Sequence, residues 1–132
     1  MSNTDIKANR PLSPHLQIYR WPITMTMSIA HRITGIGLYI GTILLVWWLA
    51  AAASGPRAFD FASAVLGSWL GLIVLFGYTW ALIHHMLGGL RHFMWDFGVG
   101  LDKPARDTLA WANLVGSVVL TVIVWAVWLV LR

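Results

Sequence analysis

The chain has 132 residues, 58% hydrophobic and only 11% charged, with a mean hydropathy of +0.71 and a formal net charge of +4. A soluble domain carries about 25% charged residues, so composition excludes an ordinary soluble enzyme; the basic residues sit at the ends of apolar runs, which reads as membrane topology rather than nucleic-acid binding. Cysteine is absent, which removes disulfides and the thiolates that hold most iron–sulfur clusters, and no dinucleotide fingerprint or phosphate loop occurs, so any flavin or cluster belongs to other chains.

Residues Met1 to Asn9 are polar and lack the apolar core and small-residue site of a cleaved signal peptide. From Arg10 to Pro22 the chain carries Pro11, Pro14 and Pro22, which predicts an extended or turned arm. Tyr19, Arg20 and Trp21 are interfacial residue types, and Pro22 suits the start of a helix. This reading divides the chain into a cytoplasmic arm, 1–22, and an all-α anchor of three transmembrane helices, 23–132, within a bundle that other chains complete.

The first span is predicted over 23–53. Its opening turns hold Ser28, His31 and Arg32; helical periodicity puts Ser28, Arg32 and Gly35 on one face with His31 to one side. Gly35, Gly37 and Gly41 follow, small enough for a second helix or a flat cofactor to approach. Ser54-Gly55-Pro56-Arg57 breaks the helix. A second span is predicted over 62–93, with Gly67 and Gly71 as a GxxxG pair. The next loop holds Arg91, Asp96, Asp102, Lys103, Arg106 and Asp107, with Pro104 as a breaker. The third span, 108–131, has no charge and no candidate ligand and reads as a lipid- or partner-facing helix.

Three spans separate the termini. Lys7, Arg10, Arg20, Arg32, Arg91, Lys103 and Arg106 lie toward one side, against Arg57 and Arg132 toward the other. The positive-inside rule places the N-terminus and the second loop in the cytoplasm.

The stretch from His84 to Asp96 carries the chemistry. A histidine within a span can ligate haem iron through a neutral ring nitrogen. His85 and His92 share a face about 10 Å apart, and Gly88 and Gly89, one turn beyond His85, leave room for a porphyrin edge. His84 lies about 100° away, on the face of Arg91. One straight helix supplies one axial ligand; His31 on the first span is an alternative second ligand but lies nearer the surface, so the simplest inference is a haem shared with a second polypeptide. The residues also admit a plainer reading. A histidine in a span can serve as a helix–helix hydrogen bond. Arg91, His92 and Asp96 can be interfacial side chains and a loop ion pair, and Ser28 can bond back to its own helix. On the residues alone the chain is a three-helix membrane subunit that binds a haem, a quinone or neither.

Two ordered motifs add a resemblance. Arg10-Pro11-Leu12 precedes Ser28-x-x-His31-Arg32-x-Thr34-Gly35, and His85-x-x-x-Gly89-Leu90-Arg91-His92-Phe93-x-Trp95-Asp96-x-Gly98 follows. With the Ser13-Pro14-His15-Leu16-Gln17-Ile18-Tyr19 arm they resemble the cytochrome b membrane-anchor subunits of succinate dehydrogenase, respiratory complex II, in the alphaproteobacterial and mitochondrial branch. The resemblance spans essentially the whole chain. It implies His85 as an axial ligand of haem b, with the second ligand from a partner anchor subunit. His31, Arg32 and His92 match positions near the haem propionates, Ser28 and Arg32 match the ubiquinone pocket, and Arg91 and Asp96 match supporting positions. It further implies an iron–sulfur subunit and a flavoprotein subunit as partners, no nucleic acid, and a place in a bacterial inner membrane rather than the mitochondrial one. A fumarate reductase-type anchor and a cofactor-free structural subunit are the alternatives.

Overall fold

The computed structural model describes residues 19–132. The arm with Arg10, Pro11 and His15 lies outside the described residues, apart from its last four. Four helices follow: α1 Ile23–Ser54, α2 Pro56–Gly67, α3 Trp69–Asp96 and α4 Lys103–Leu131. The fold is all-α. Helices α1, α3 and α4, of 32, 28 and 29 residues, are long and apolar enough to cross a membrane. At 1.5 Å per residue each exceeds the roughly 30 Å of a bilayer core. Helices α1, α3 and α4 each pack against the other two, so α3 has α1 on one side and α4 on another.

Local chemistry sets the helix ends. Pro22 is extended (φ −68°, ψ 150°), and its carbonyl accepts from Met25 N at 3.0 Å. Gly55 turns the chain at φ +112°, a region that favours glycine, and Pro56 then opens α2. Asp102 caps α4 by accepting from Ala105 N at 3.0 Å. Pro104 falls in the first helical turn, where its missing N–H is harmless. Thus α4 begins at Lys103, five residues before the expected span, and Pro104 starts a helix rather than breaking one.

The second span differs from its expected form. The run expected over 62–93 is interrupted at Ser68 (φ −65°, ψ 160°), leaving α2 and α3 as separate helices. The Ser68 hydroxyl donates to Val65 O at 2.6 Å and accepts from Gly71 N at 3.1 Å, so it serves both helix ends. A Cβ at Gly71 would collide with the Val65 and Leu66 carbonyls. Gly71 is therefore a requirement of this bend, not half of a helix-pairing motif.

The buried interior is largely polar. Thr34, His84, Arg91, Asn113, Ser117 and Thr121 are buried alongside Met27, Ala51, Ala62 and Ala110, while Ile33, Ile36, Ile43, Val122 and Val130 are exposed. Lipid tails are as apolar as leucine, so spans associate through close packing and hydrogen bonds rather than hydrophobic burial. This corrects the reading of the third span. One face of α4 carries Ala110, Asn113, Ser117 and Thr121, all buried against the other helices, so α4 is an integral bundle helix as well as a lipid- or partner-facing one.

Candidate functional site

Helix α3 presents two polar faces at its more basic end. The inner face, His84, Gly88 and Arg91, is buried. About 100° around the axis lie His85 and Gly89, half-buried, and His92, exposed. The adjacent histidines therefore meet different helices.

His85 faces α1. Its Nδ1 lies 3.1 Å from the His31 carbonyl oxygen and 3.3 Å from Thr34 Oγ1. A carbonyl only accepts, so Nδ1 carries the proton and Nε2 is left as the basic nitrogen. Among the described residues Nε2 has no hydrogen-bond partner. The Thr34 hydroxyl is spent on the Ala30 and His31 carbonyls, at 2.9 and 3.0 Å, so its oxygen remains free to accept from His85. The His31 ring stacks on His85 with centroids 3.8 Å apart and planes 7° from parallel. This contact needs Gly35, because a Cβ there would sit 2.9 Å from His85 Cε1, and Gly88, because a Cβ there would sit 2.5 Å from His31 Nδ1. His92 completes the group, 5.4 Å from His31 between ring centroids.

His84 faces α4. Its Nδ1 is 3.2 Å from Ser117 Oγ, and Asn113 Nδ2 donates to the His84 carbonyl at 3.3 Å. Arg91 lies further along this face. Its guanidinium sits 5.1 Å from the Trp95 ring centroid, and its Nε and Nη1 are buried without a partner among the described residues. Asp96 is exposed and forms no ion pair with Arg91 or His92 among the described residues.

Ser28 and Arg32 occupy a third position, on the exposed side of α1 one turn apart. Arg32 Nη2 donates to Ser28 Oγ at 3.2 Å. The hydroxyl proton is thereby free to point outward, so the pair offers an O–H donor beside a fixed positive charge. Ser28 and Arg32 are thus together, and His31, His85 and His92 are together. His31 and Arg32 are neighbours in sequence, so the two groups adjoin.

Three residues of this region went unnoticed in the sequence. Asn113, Ser117 and Thr121 repeat every four residues in an otherwise apolar span. Polar residues at that spacing within a membrane segment mark a helix–helix seam.

Comparison with known proteins agrees with this architecture. A family model described as succinate dehydrogenase/fumarate reductase transmembrane subunit matches residues 6–124. A succinate dehydrogenase cytochrome b556 subunit of Paracoccus denitrificans is 50% identical over 117 residues, covering 89% of this chain and 90% of that protein. The corresponding subunit of Rickettsia prowazekii is 36% identical over 121 residues, covering 92% and 94%. The mitochondrial cytochrome b560 subunit of Homo sapiens is 41% identical over 107 residues, covering 77% of this chain and 62% of that longer protein.

Proposed function

The chain belongs to the succinate dehydrogenase/fumarate reductase transmembrane subunit family, and from that premise we propose that it is a membrane anchor of a succinate:ubiquinone oxidoreductase. In this reading His85 would hold the iron of a haem b, and a second anchor subunit would supply the other ligand. It forms part of the site where ubiquinone is reduced. An iron–sulfur subunit and a flavoprotein subunit sit at its more basic end, on the cytoplasmic face of a bacterial inner membrane. The relatives named above are called succinate dehydrogenase subunits, which favours succinate oxidation over fumarate reduction.

The observation that carries the haem assignment is the His85 ring. A ligating histidine characteristically donates its other N–H to a carbonyl or carboxylate, which fixes the tautomer and aims the ligating nitrogen. The Nδ1–H to His31 carbonyl bond does this and leaves Nε2 available. His84 differs in its partner and its access: its Nδ1 meets the Ser117 hydroxyl rather than a carbonyl, and its Nε2, also without a partner among the described residues, is enclosed between α3 and α4 in a ring at 0% exposure. His31 and His92, cationic or neutral donors beside His85, suit propionate carboxylates. When bound, the haem supplies a one-electron carrier within the membrane.

The quinone assignment rests on Ser28 and Arg32. A quinone takes up two electrons and two protons, and negative charge builds on its carbonyl oxygens as electrons arrive. The Ser28 hydroxyl donates to such an oxygen, and the Arg32 guanidinium, always charged, stabilises that charge. Losing a hydrogen bond to a charged group costs about 1.5–3 kcal/mol, roughly ten- to a hundredfold in rate. Ser28→Ala and Arg32→Leu are therefore expected to lower quinone reductase turnover by that factor and to spare succinate oxidation by a water-soluble artificial acceptor. Unchanged quinone turnover in both variants contradicts the assignment.

A further inference from the structure

The proposed function gives His84 no task, yet its side chain is fully enclosed, at 0% exposure. Two residues of α4 reach it: Ser117 Oγ lies 3.2 Å from its Nδ1, and Asn113 Nδ2 donates to its carbonyl at 3.3 Å. The Trp80 ring lies 5.1 Å from it, one turn earlier on α3. Ser117 and Asn113 are themselves buried, at 0% and 4% exposure. These contacts attach α3 to α4 next to the residue that faces α1.

Rotation is the quantity such an attachment controls. Side chains of a helix lie about 5–6 Å from its axis, so a turn of about 20° moves a ring by about 2 Å. That displacement breaks the 3.1 Å bond from His85 Nδ1 to the His31 carbonyl. Much of the remaining surface of α3 is exposed Leu70, Ile73, Val74, Leu82, Met86 and Leu90, which slide against lipid or aliphatic neighbours without preferring one angle. Directional hydrogen bonds do prefer one.

We propose that His84 is a positioning residue: bonded to Ser117 and backed by Asn113, it pins the rotation of α3 so that His85, one residue on, meets the His31 carbonyl and directs Nε2 at the haem iron. The tandem histidines thereby divide two tasks between two helix faces, and the third span takes part in the haem site without touching it. The inference rests on His85 being the ligand.

The test uses the whole membrane complex carrying His84→Leu, His84→Asn or Ser117→Ala, with His85→Ala and Thr121→Val for comparison. Thr121 is buried on the same stripe, but among the described residues its hydroxyl bonds only the Ser117 carbonyl of its own helix. The readouts are haem content and the low-temperature paramagnetic resonance of the oxidised haem, whose g-values follow the orientation of the axial rings. His84→Leu and Ser117→Ala are expected to retain haem and to shift or broaden the largest g-value. His84→Asn, which restores a polar partner for Ser117, should return it toward wild type, and Thr121→Val should leave it unmoved. Wild-type g-values in an assembled His84→Leu or Ser117→Ala complex overturn the proposal, as does an equal shift in Thr121→Val. Should His84→Leu fail to assemble, Ser117→Ala and His84→Asn decide by the same criteria. The ligand assignment fails in a distinguishable way: haem retained in His85→Ala but lost in His84→Asn identifies His84 as the ligand and overturns both readings.

Discussion

At the scale of single residues, the site depends on side chains that are missing as much as on those present. Gly35 and Gly37 lie two apart on α1 and test this. A Cβ at Gly35 meets His85 Cε1 at 2.9 Å, whereas one at Gly37 meets nothing within 4 Å. Forcing an extra carbon into a packed contact costs about 1–3 kcal/mol, and at Gly35 the displaced group is the proposed iron ligand. Gly35→Ala is expected to lower haem content and alter the haem absorbance of the purified complex, while Gly37→Ala leaves both unchanged. Equal behaviour of the two variants contradicts the His31–His85 packing. Parts of this site were legible beforehand. The shared face of Ser28 and Arg32 and the 100° divergence of His84 from His85 follow from helical periodicity alone. The stacking of His31 on His85 does not, because it depends on how closely α1 approaches α3, which two glycines on different helices decide jointly.

At the scale of elements, the three spans were legible because each is an apolar run longer than a bilayer core, bounded by charge, proline or glycine. Two features resisted. The break at Ser68 lies inside an uncharged run with no proline. Its signals are a serine able to serve two helix ends and a glycine beside two carbonyls, and both acquire meaning only once the bend exists. The polar stripe of α4 was present in the sequence as Asn113, Ser117 and Thr121, but its weight is set by what lies opposite. Facing lipid, those groups are a burden. Facing His84 they form a seam, with Ser117 and Asn113 as its contacts. The seam runs on toward the far end of the bundle, where Trp125 Nε1 donates to Thr79 Oγ1 at 3.3 Å.

At the scale of the whole molecule, an anchor must present its polar groups to the correct side of the membrane. The described end formed by the start of α1, the end of α3 and the start of α4 carries Arg20, Arg32, Arg91, Lys103 and Arg106, against Arg57 and Arg132 at the other. The positive-inside rule predicts that the first of these ends is cytoplasmic. The chain has no cysteine of its own, so a single introduced thiol reports side without background from this subunit. In the assembled complex, Arg57→Cys is expected to react with a membrane-impermeant maleimide applied from the periplasmic side. Lys103→Cys should react only after the membrane is dissolved. The opposite pattern inverts the topology and removes the proposed quinone site from the cytoplasmic face.

The central claim is that this chain carries haem b and stands on the electron path from succinate. It is tested most directly by isolating the complex from its native membrane through a tag on this subunit and recording the absorbance difference between succinate-treated and oxidised samples. The account predicts a b-type α-band that appears with succinate and is lost in the His85→Ala complex. A complex that contains both soluble partner subunits and the second anchor but shows no b-type band, even with dithionite, contradicts it and returns His31, His85 and His92 to a structural role between helices.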